Sequence, residues 1–264
     1  MAHVWDAMKK HQAEQAAKAA ADPASPVAPV ADTIPRASAE LPQTPRNAGA
    51  TALRFPSELV VYHDRGSMAA EEYRALRANL LARYSDGRFC MLVTSAEAGE
   101  GKTVTCLNLA LALAEHKDRR TVVVDFDLRR GGMANLLGIE RSPGVADILR
   151  GGSGLDAALR TTPESNLQVL PAGESLPETV GNLLAAPGLG AFLDSLRQIF
   201  DCVLLDAPAI GLFPDDTAAI ARAAGDALVV VRMHKTHRAA VSRALRLLRA
   251  AGARPAGLVL IGRR

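Results

Sequence analysis

The sequence predicts an α/β protein whose doubly wound, mostly parallel sheet is flanked by helices and preceded by a disordered N-terminal extension. Apolar runs with the character of buried parallel strands alternate with helical patterns, which is the order that builds such a sheet. A hydrophobic content of 48% over 264 residues supplies the apolar material for one good-sized domain. The strand candidates are residues 89–93, 121–125, 167–170, 200–208, 226–231 and 258–261.

The N-terminal extension divides into two segments that precede a domain at 51–264. Residues 1–21 are rich in good helix formers, and Val4, Trp5 and Met8 cluster on one side, which predicts a short amphipathic helix. Such a helix either frays when the protein is alone or docks on a partner or a membrane interface. Residues 22–50 are rich in proline, alanine and serine without a hydrophobic period, which predicts a disordered tether.

Composition indicates the cellular compartment of the protein and the class of partner it binds. Cys90, Cys106 and Cys202 lie inside apolar runs rather than at metal-ligand spacing, which predicts buried thiols in a reducing cytosol. No apolar run has the length of a membrane-spanning helix, and the N-terminus does not resemble a signal peptide, so we expect a cytoplasmic protein. The formal net charge of +3 and the 4% aromatic content give no reason to expect a nucleic-acid partner.

Residues 91–113 are typical of a phosphate-binding loop. A strand candidate leads into a turn of small residues, and a helix begins at Lys102, so backbone N–H groups and the positive helix end converge on one anion. Lys102 would reach the β and γ phosphates, and the Thr103 hydroxyl is a suitable Mg²⁺ ligand. Ala96 replaces the first glycine of the strict pattern, so a purely structural glycine turn is the alternative. The candidate nucleotide-binding residues are Gly99, Glu100, Gly101, Lys102, Thr103 and Val104.

Carboxylates follow two later strand candidates. Asp125 ends the run at 121–125 and Asp127 follows two residues later, while Asp206 ends the apolar part of 200–208. The carboxyl ends of parallel strands share one sheet edge, where open α/β sheets bind ligands, so these side chains are candidates for an Mg²⁺ site beside the phosphates. The predicted metal set is Thr103, Asp125 and Asp206. The alternative is structural, with Asp125 capping the next turn and Asp127 solvated.

The pattern of residues 67–84 predicts a helix that begins after a serine cap and has one apolar side. Glu71, Arg74 and Arg77 recur every three residues along another side. They form either a solvated face with weak internal ion pairs or a subunit interface. In the second case Glu71 of one protomer meets the arginines of the next, and this head-to-tail contact closes into a ring. The apolar positions are Tyr73, Leu76, Leu80 and Leu81.

Four of these segments resemble, in order, the bacterial protein-tyrosine kinases of capsule and exopolysaccharide synthesis. They are EEYRALRANL in the first helix, TSAEAGEGKT at the loop, and VVVDFDLRR and VLLDAP at the acidic strand ends, and the similarity spans roughly residues 67–262. Within the deviant P-loop ATPases, partitioning and septum-positioning proteins carry an extra lysine at the start of the loop. Glu97 stands at that position here, so the resemblance implies the kinase branch.

The resemblance implies a site and its cofactors, ATP and Mg²⁺. Residues 99–103 would cradle the ATP phosphates. Phosphoryl transfer consists mostly of positioning and charge neutralisation, so a lysine, a metal and carboxylates suffice, and we assign Asp127 to orienting the attacking tyrosine hydroxyl. The family's catalytic and Mg²⁺-binding roles fall on Lys102, Asp125, Asp127 and Asp206.

The implied function is an ATP- and Mg²⁺-dependent protein-tyrosine kinase that regulates polysaccharide polymerisation and export. No tyrosine follows Tyr84, whereas the family ends in a tyrosine cluster, so we expect action in trans on a protein tyrosine. Ile261 stands where the family usually has an asparagine near the adenine. The resemblance also implies activation by the cytoplasmic tail of a transmembrane polysaccharide co-polymerase, while the homo-oligomeric ring is expected from the spacing of Glu71, Arg74 and Arg77. The protein would then be peripheral at the inner face of the plasma membrane.

Two other functions use the same residues. A nucleotide-gated scaffold of the same system would hydrolyse ATP slowly and regulate a membrane polymerase without phosphorylating it. A DNA-partitioning ATPase would contact phosphates through the arginine-rich helix predicted at 236–251. Arginines on a surface helix are usually only solvated, so this third function has the least support.

Overall fold

A computed structural model describes residues 53–84 and 86–262, so the predicted N-terminal helix (1–21) and tether (22–50) lie outside the described residues. The strands are β1 Phe89–Ser95, β2 Thr121–Asp125, β3 Arg160–Thr161, β4 Leu167–Leu170, β5 Cys202–Asp206, β6 Asp226–Arg232 and β7 Arg254–Ile261. They form a seven-stranded sheet in the order β3-β4-β2-β5-β1-β6-β7. The short β3 pairs antiparallel with β4, and the other pairs are parallel.

Helices cover both faces of this sheet, which confirms the predicted doubly wound fold. One face is covered by α1 to α4 and the other by α5 to α10, and a separate apolar core lies under each set. The helices are α1 Val60–His63, α2 Met68–Arg83, α3 Lys102–Ala114, α4 Gly132–Leu137, α5 Val145–Leu149, α6 Leu155–Ala158, α7 Val180–Ala185, α8 Gly188–Ile199, α9 Pro214–Ala224 and α10 Arg238–Ala250, with a 3₁₀ turn at Pro177–Thr179.

The centre of the sheet brings several strand ends to one edge. All residues of β1, β2 and β5 are buried, as expected for parallel strands covered on both faces. In the register of the sheet Asp206 lies beside Asp125 on one side and Val93 on the other. On the far side of β1, Ser95 lies beside Val230 of β6. The segments that follow β1, β2, β5 and β6 therefore leave the sheet at the same edge.

Helix α2 has the predicted cap and the predicted apolar side. The Ser67 hydroxyl accepts a hydrogen bond from the Ala70 N–H at 3.2 Å, which satisfies one of the free donors at the helix start. Leu80 is buried, and the other three predicted apolar residues pack against the same core: Tyr73, Leu76 and Leu81.

The arginines of α2 are bound within the chain. Arg74 donates to both carboxylate oxygens of Glu115, at 2.8–3.0 Å, and Arg77 donates to Glu115 at 2.6 Å and to the Ala112 carbonyl at 2.6 Å. Glu115 directly follows α3, so these contacts fix α2 to the C-terminal end of that helix. The two arginines are therefore neither simply solvated nor paired only within α2. We call Arg74, Arg77 and Glu115 the Glu115 cluster.

The last two elements differ in length from their predictions. Strand β7 begins at Arg254, four residues before the predicted start, because its first half pairs with β6 although its residues are less apolar. It is the outer strand of the described sheet, and Leu258 and Leu260 are 46% and 60% exposed. Helix α10 begins at Arg238 rather than at 236, because Thr236 closes a turn after β6.

Two predictions from composition can be compared with the described chain. Cys90, Cys106 and Cys202 are free and buried, as predicted. Within residues 53–84 and 86–262, no helix is long and apolar enough to cross a membrane.

Candidate active site

The loop between β1 and α3 has the shape of an open anion cradle. Gly99 and Gly101 have φ angles of 77° and 84°, a left-handed conformation that favours glycine. A Cβ atom placed at either position would meet no described atom within 4 Å, so the space above both glycines is open. Helix α3 begins directly at Lys102, which directs the positive end of its dipole at that space.

Ala96 takes the position of the missing first glycine without difficulty. The non-glycine residue with positive φ in the described chain is His234, so Ala96 adopts a conformation that alanine accepts freely. Its side chain is buried, and its carbonyl accepts a hydrogen bond from the Gly211 N–H at 3.2 Å. The departure from the strict glycine pattern therefore leaves the loop intact.

Lys102 and Asp127 meet over this loop. The Lys102 Nζ atom lies 3.5 Å from Asp127 Oδ2, and both side chains are largely buried. Asp127 leaves the carboxyl end of β2, so the sheet brings it to the first residue of α3. The sequence alternative of a solvated Asp127 is wrong, because this residue is 4% exposed.

Asp125 and Asp206 lie side by side on β2 and β5. Asp125 accepts backbone hydrogen bonds from Asp127 at 3.0 Å and from Met133 in α4 at 3.2 Å. It therefore does cap the following turn, as the structural alternative expected. Both of its oxygens are occupied by backbone donors, which leaves Asp206 and Asp127 with the more available carboxylates.

Burial perturbs the titration of this carboxylate pair. Burial raises the pKa of Asp125 well above its usual range, and the neighbouring charge of Asp206 raises it further. Burial also raises the pKa of Asp206, while Lys102 and the Thr103 hydroxyl act in the opposite direction. Two buried carboxylates side by side disfavour their own ionised forms, and a cation beside them would relieve this cost.

The site fits a magnesium ion. Asp127 Oδ1 and Asp206 Oδ1 are buried and accept no hydrogen bond from any residue in the described ranges. Buried carboxylate oxygens in that state require a donor or a cation. Within the described chain, no three His, Cys, Asp or Glu side chains form a ready metal cage. Mg²⁺ usually binds through one or two carboxylates and takes its other ligands from water and substrate phosphates, which matches this arrangement.

The remaining predicted residues contribute differently. Val104 packs partly against the core under α3, so its side chain is a structural contact. Glu71, Arg74 and Arg77 are not part of the site. They lie near Glu115, one residue beyond the end of α3, whereas Lys102 begins that helix, and thirteen residues of helix separate the two by about 20 Å.

Sequence reasoning missed the contacts that hold the loop from outside. The Glu100 carboxylate accepts hydrogen bonds from the Glu97 N–H at 2.8 Å and from the Thr236 hydroxyl, and the residue is 2% exposed. The Arg232 guanidinium donates to the Gly99 carbonyl at 3.4 Å. The Glu100 side chain is therefore not open to the cradle, and its backbone is the part that can face a phosphate.

A second missed contact connects the segment after β2 to α9. Arg129 donates to both carboxylate oxygens of Asp216, at 2.5 and 3.2 Å, and its guanidinium lies 4.7 Å from the centre of the Phe213 ring. These partners are more than eighty residues apart in sequence. No pattern in the sequence around Arg129 or Asp216 indicates that these two residues pair.

Comparison with known proteins assigns the chain to a family. The model of the AAA domain family matches residues 91–248, which include the loop, the acidic strand ends and most of α10. The chain belongs to the AAA domain family. This match covers more than half of the sequence and confirms the nucleotide-binding class of the fold.

Several proteins similar to this AAA domain are bacterial tyrosine kinases. It is 30% identical to tyrosine-protein kinase ptk of Acinetobacter johnsonii over 73% of this chain and 26% of that protein. It is 24% identical to tyrosine-protein kinase YwqD of Bacillus subtilis, over 80% of this chain and 88% of that protein. The kinase domain of Escherichia coli tyrosine kinase ETK superposes with a TM-score of 0.72 at 26% identity, over 79% of this chain and 82% of that domain.

These comparisons confirm the resemblance to bacterial tyrosine kinases that the sequence motifs indicated. The chain spans about a quarter of the length of the first curated relatives that it matches.

Proposed function

We propose that this AAA domain is an ATP- and Mg²⁺-dependent protein-tyrosine kinase of a capsule or exopolysaccharide system. The observation that carries the proposal is the open cradle next to Lys102, together with two buried carboxylate oxygens, on Asp127 and Asp206, that have no donor among the described residues. A nucleotide triphosphate with a bound cation complements this arrangement in both shape and charge. The similarity to named tyrosine kinases supports the choice of a tyrosine as acceptor.

The chain's own residues have separate roles in transfer. Lys102 neutralises charge on the β and γ phosphates, while the N–H groups around Gly99 and Gly101 bind their oxygens. Asp127 holds Lys102 through Oδ2, and its free Oδ1 is available to accept the proton of the attacking tyrosine hydroxyl.

A magnesium ion would be held by the Thr103 hydroxyl and Asp206, with Asp125 acting through water because its oxygens already accept backbone hydrogen bonds. When bound, the ion supplies charge neutralisation on the phosphates. Asp206 then contributes a ligand oxygen that the protein itself leaves without a donor.

The activity can be tested with the full chain, radiolabelled ATP and a tyrosine-containing copolymer, with Lys102→Met as the matched control. We expect phosphotyrosine on the copolymer with the wild-type chain and at least a hundredfold less with the variant. ATP binding without phosphotyrosine on any acceptor would instead favour the nucleotide-gated scaffold. Equal signal from both chains would show that the loop does not catalyse the reaction.

We also propose the partner and the location that the sequence resemblance implied. The cytoplasmic tail of a transmembrane polysaccharide co-polymerase would activate the domain and hold it at the inner face of the plasma membrane. The domain would act in trans on a protein tyrosine, and residues 1–21 would provide a second docking element on the tether 22–50. Adding a synthetic tail peptide to the copolymer assay should raise the rate of phosphotyrosine formation, and an unchanged rate would argue against this partner.

A homo-oligomeric ring through Glu71, Arg74 and Arg77 is a further part of the proposal. Because Glu115 already binds both arginines, Glu71 of a neighbouring protomer would have to join or replace Glu115. Arginine substitutions would therefore also disturb the fold, and Glu71→Lys is the cleaner variant, since Glu71 is exposed and contacts Arg74 of its own helix.

Glu72→Lys, which changes the next exposed residue of α2, is the matched control for the ring. We expect light scattering to show a smaller species for Glu71→Lys and an unchanged one for Glu72→Lys, with ATP, Mg²⁺ and the tail peptide present. A strictly monomeric wild-type chain under these conditions would contradict the ring.

A further inference from the structure

We propose that Glu100 and Thr236 are positioning residues that hold the phosphate-binding loop in its nucleotide-binding shape. The inference rests on the proposed nucleotide binding, and it concerns side chains outside the cradle itself. Glu100 lies between Gly99 and Gly101, both of which have left-handed backbones. Glycines leave such a segment free to adopt other conformations, so its shape depends on contacts from elsewhere in the chain.

The acidic character of Glu100 makes its orientation important. A carboxylate that turned into an anion-binding cradle would repel the phosphates. In the structure the carboxylate is instead buried, with Oε2 accepting from the Glu97 N–H and Oε1 accepting from the Thr236 hydroxyl. The described chain thus supplies one hydrogen-bond donor to each oxygen, and Thr236 provides the one that lies outside the loop.

Thr236 is itself held firmly enough to act as an anchor. Its N–H donates to the Arg232 carbonyl at 3.0 Å, and its hydroxyl oxygen accepts from the Arg232 N–H at 3.1 Å. The turn between them contains His234 in a left-handed conformation, with φ of 61°, which an unconstrained chain seldom adopts. Arg232 also reaches the Gly99 carbonyl, so this turn contacts two consecutive residues of the loop.

The sheet explains how residues 136 positions apart meet. Strand β6 lies beside β1, and Ser95 at the end of β1 is paired with Val230 near the end of β6. The phosphate-binding loop and the turn at 232–236 therefore leave the same sheet edge next to each other. Helix α10 begins two residues after Thr236, so the turn also joins this helix to the loop.

Substitutions can separate the hydrogen bond from packing and from charge. Thr236→Val keeps the side-chain shape but removes the hydroxyl, which leaves the buried Glu100 carboxylate with one donor fewer and the Arg232 N–H without that acceptor. That carboxylate would move toward water or toward the phosphates, and either change weakens nucleotide binding. Thr236→Ser retains the hydroxyl and should retain affinity. Glu100→Gln in the Thr236→Val background removes the charge and should recover part of the loss.

The experiment titrates a fluorescent ATP analogue with Mg²⁺ into the full chain and its variants, and records thermal unfolding without nucleotide. We expect Thr236→Val and Thr236→Ala to bind about tenfold more weakly, as for a lost hydrogen bond to a charged group. Thr236→Ser should stay near wild type, as should Thr161→Val, an exposed control in β3 at the opposite side of the sheet. In the kinase assay the KM for ATP should rise by more than kcat falls.

Equal affinity for wild type and Thr236→Val would overturn the positioning role. An equal loss in Thr236→Ser and Thr236→Val would overturn it as well, because packing rather than the hydroxyl would then matter. A double variant that binds no better than Thr236→Val would contradict the argument from charge. A wild-type chain that binds no nucleotide would instead refute the proposed function on which the inference rests.

Discussion

Acidic side chains lie near both ends of helix α3, but they are paired with arginines only at the C-terminal end. At the C-terminal end, Glu115 receives hydrogen bonds from Arg74 and Arg77, which lower its pKa although partial burial acts to raise it. At the N-terminal end, Asp125 and Asp206 lie together and their pKa values are raised, chiefly by burial. Charges matched within the chain stabilise the fold, whereas charges left unmatched indicate where a ligand is needed.

The largest expected effect follows from removing the positively charged side chain of Lys102 at the N-terminal end of α3. Lys102→Ala should lower nucleotide hydrolysis and phosphoryl transfer by about 10³-fold, because a transition-state charge loses its partner. The thermal transition should change little, since the lysine faces the cradle and its one described ion pair, with Asp127, is long at 3.5 Å. Steady-state turnover together with calorimetry would check both, and normal turnover would show that the lysine is structural.

The second prediction concerns pH and the carboxylate pair. A carboxylate whose pKa is raised by folding stabilises the protein at low pH and loses that contribution as the pH rises through the raised value. For Asp206 this window runs from the ordinary carboxyl pKa of about 3.9 to about 6. Without metal, Asp206→Asn should therefore be more stable than wild type above that window, by about 3 kcal/mol.

Urea denaturation across this pH range, with EDTA or with Mg²⁺, would test the prediction. Glu115 has a lowered pKa, so its contribution to stability grows as the pH rises, opposite to that of Asp206. The quantity to follow is therefore the difference in unfolding free energy between the variant and wild type. Mg²⁺ with nucleotide should stabilise wild type and leave Asp206→Asn almost unaffected. A variant that is less stable than wild type at every pH would mean that Asp206 is a structural group.

The smallest expected effect follows from substituting Glu115 at the C-terminal end of α3, where the charges are paired within the chain. Glu115→Ala should lower the free energy of unfolding by about 1 kcal/mol, because partly exposed ion pairs contribute little even when several share one carboxylate. The loss should shrink at high salt, and nucleotide affinity should stay constant. Glu71→Ala, which removes an exposed partner of Arg74, should cost less. A loss of nucleotide binding in Glu115→Ala would show that the two ends are not independent.

Local pattern was sufficient to predict several features of the chain. The serine cap and apolar side of α2, the start of α3 at Lys102 and the acidic ends of β2 and β5 depend on residues close in sequence. Periodicity and cap chemistry act over a few residues, so a single sequence contains them. Even the convergence of Asp125 and Asp206 follows from one rule, that parallel strands end at a common edge.

What the sequence did not predict depends on which strands are neighbours. Thr236 reaches Glu100 because β6 lies beside β1, and Arg129, which follows β2, reaches Asp216 because β2 lies beside β5, the strand before α9. For Arg74 and Arg77 the sequence predicts either weak ion pairs within α2 or contacts with a second subunit. Glu71 does pair with Arg74, but Glu115 of the same chain binds both arginines. An arginine's spacing shows which side of a helix it is on but not which segment packs there.

The three cysteines provide a chemical reporter of opening at the centre of the molecule. Cys90 lies in β1 and Cys106 in α3, the two elements that flank the phosphate-binding loop, and Cys202 lies in β5, which pairs with β1. Burial raises the pKa of all three thiols, so they react slowly while the centre stays closed. The rate at which a thiol reagent labels the native chain therefore measures how often this centre becomes exposed to solvent, with no engineered probe.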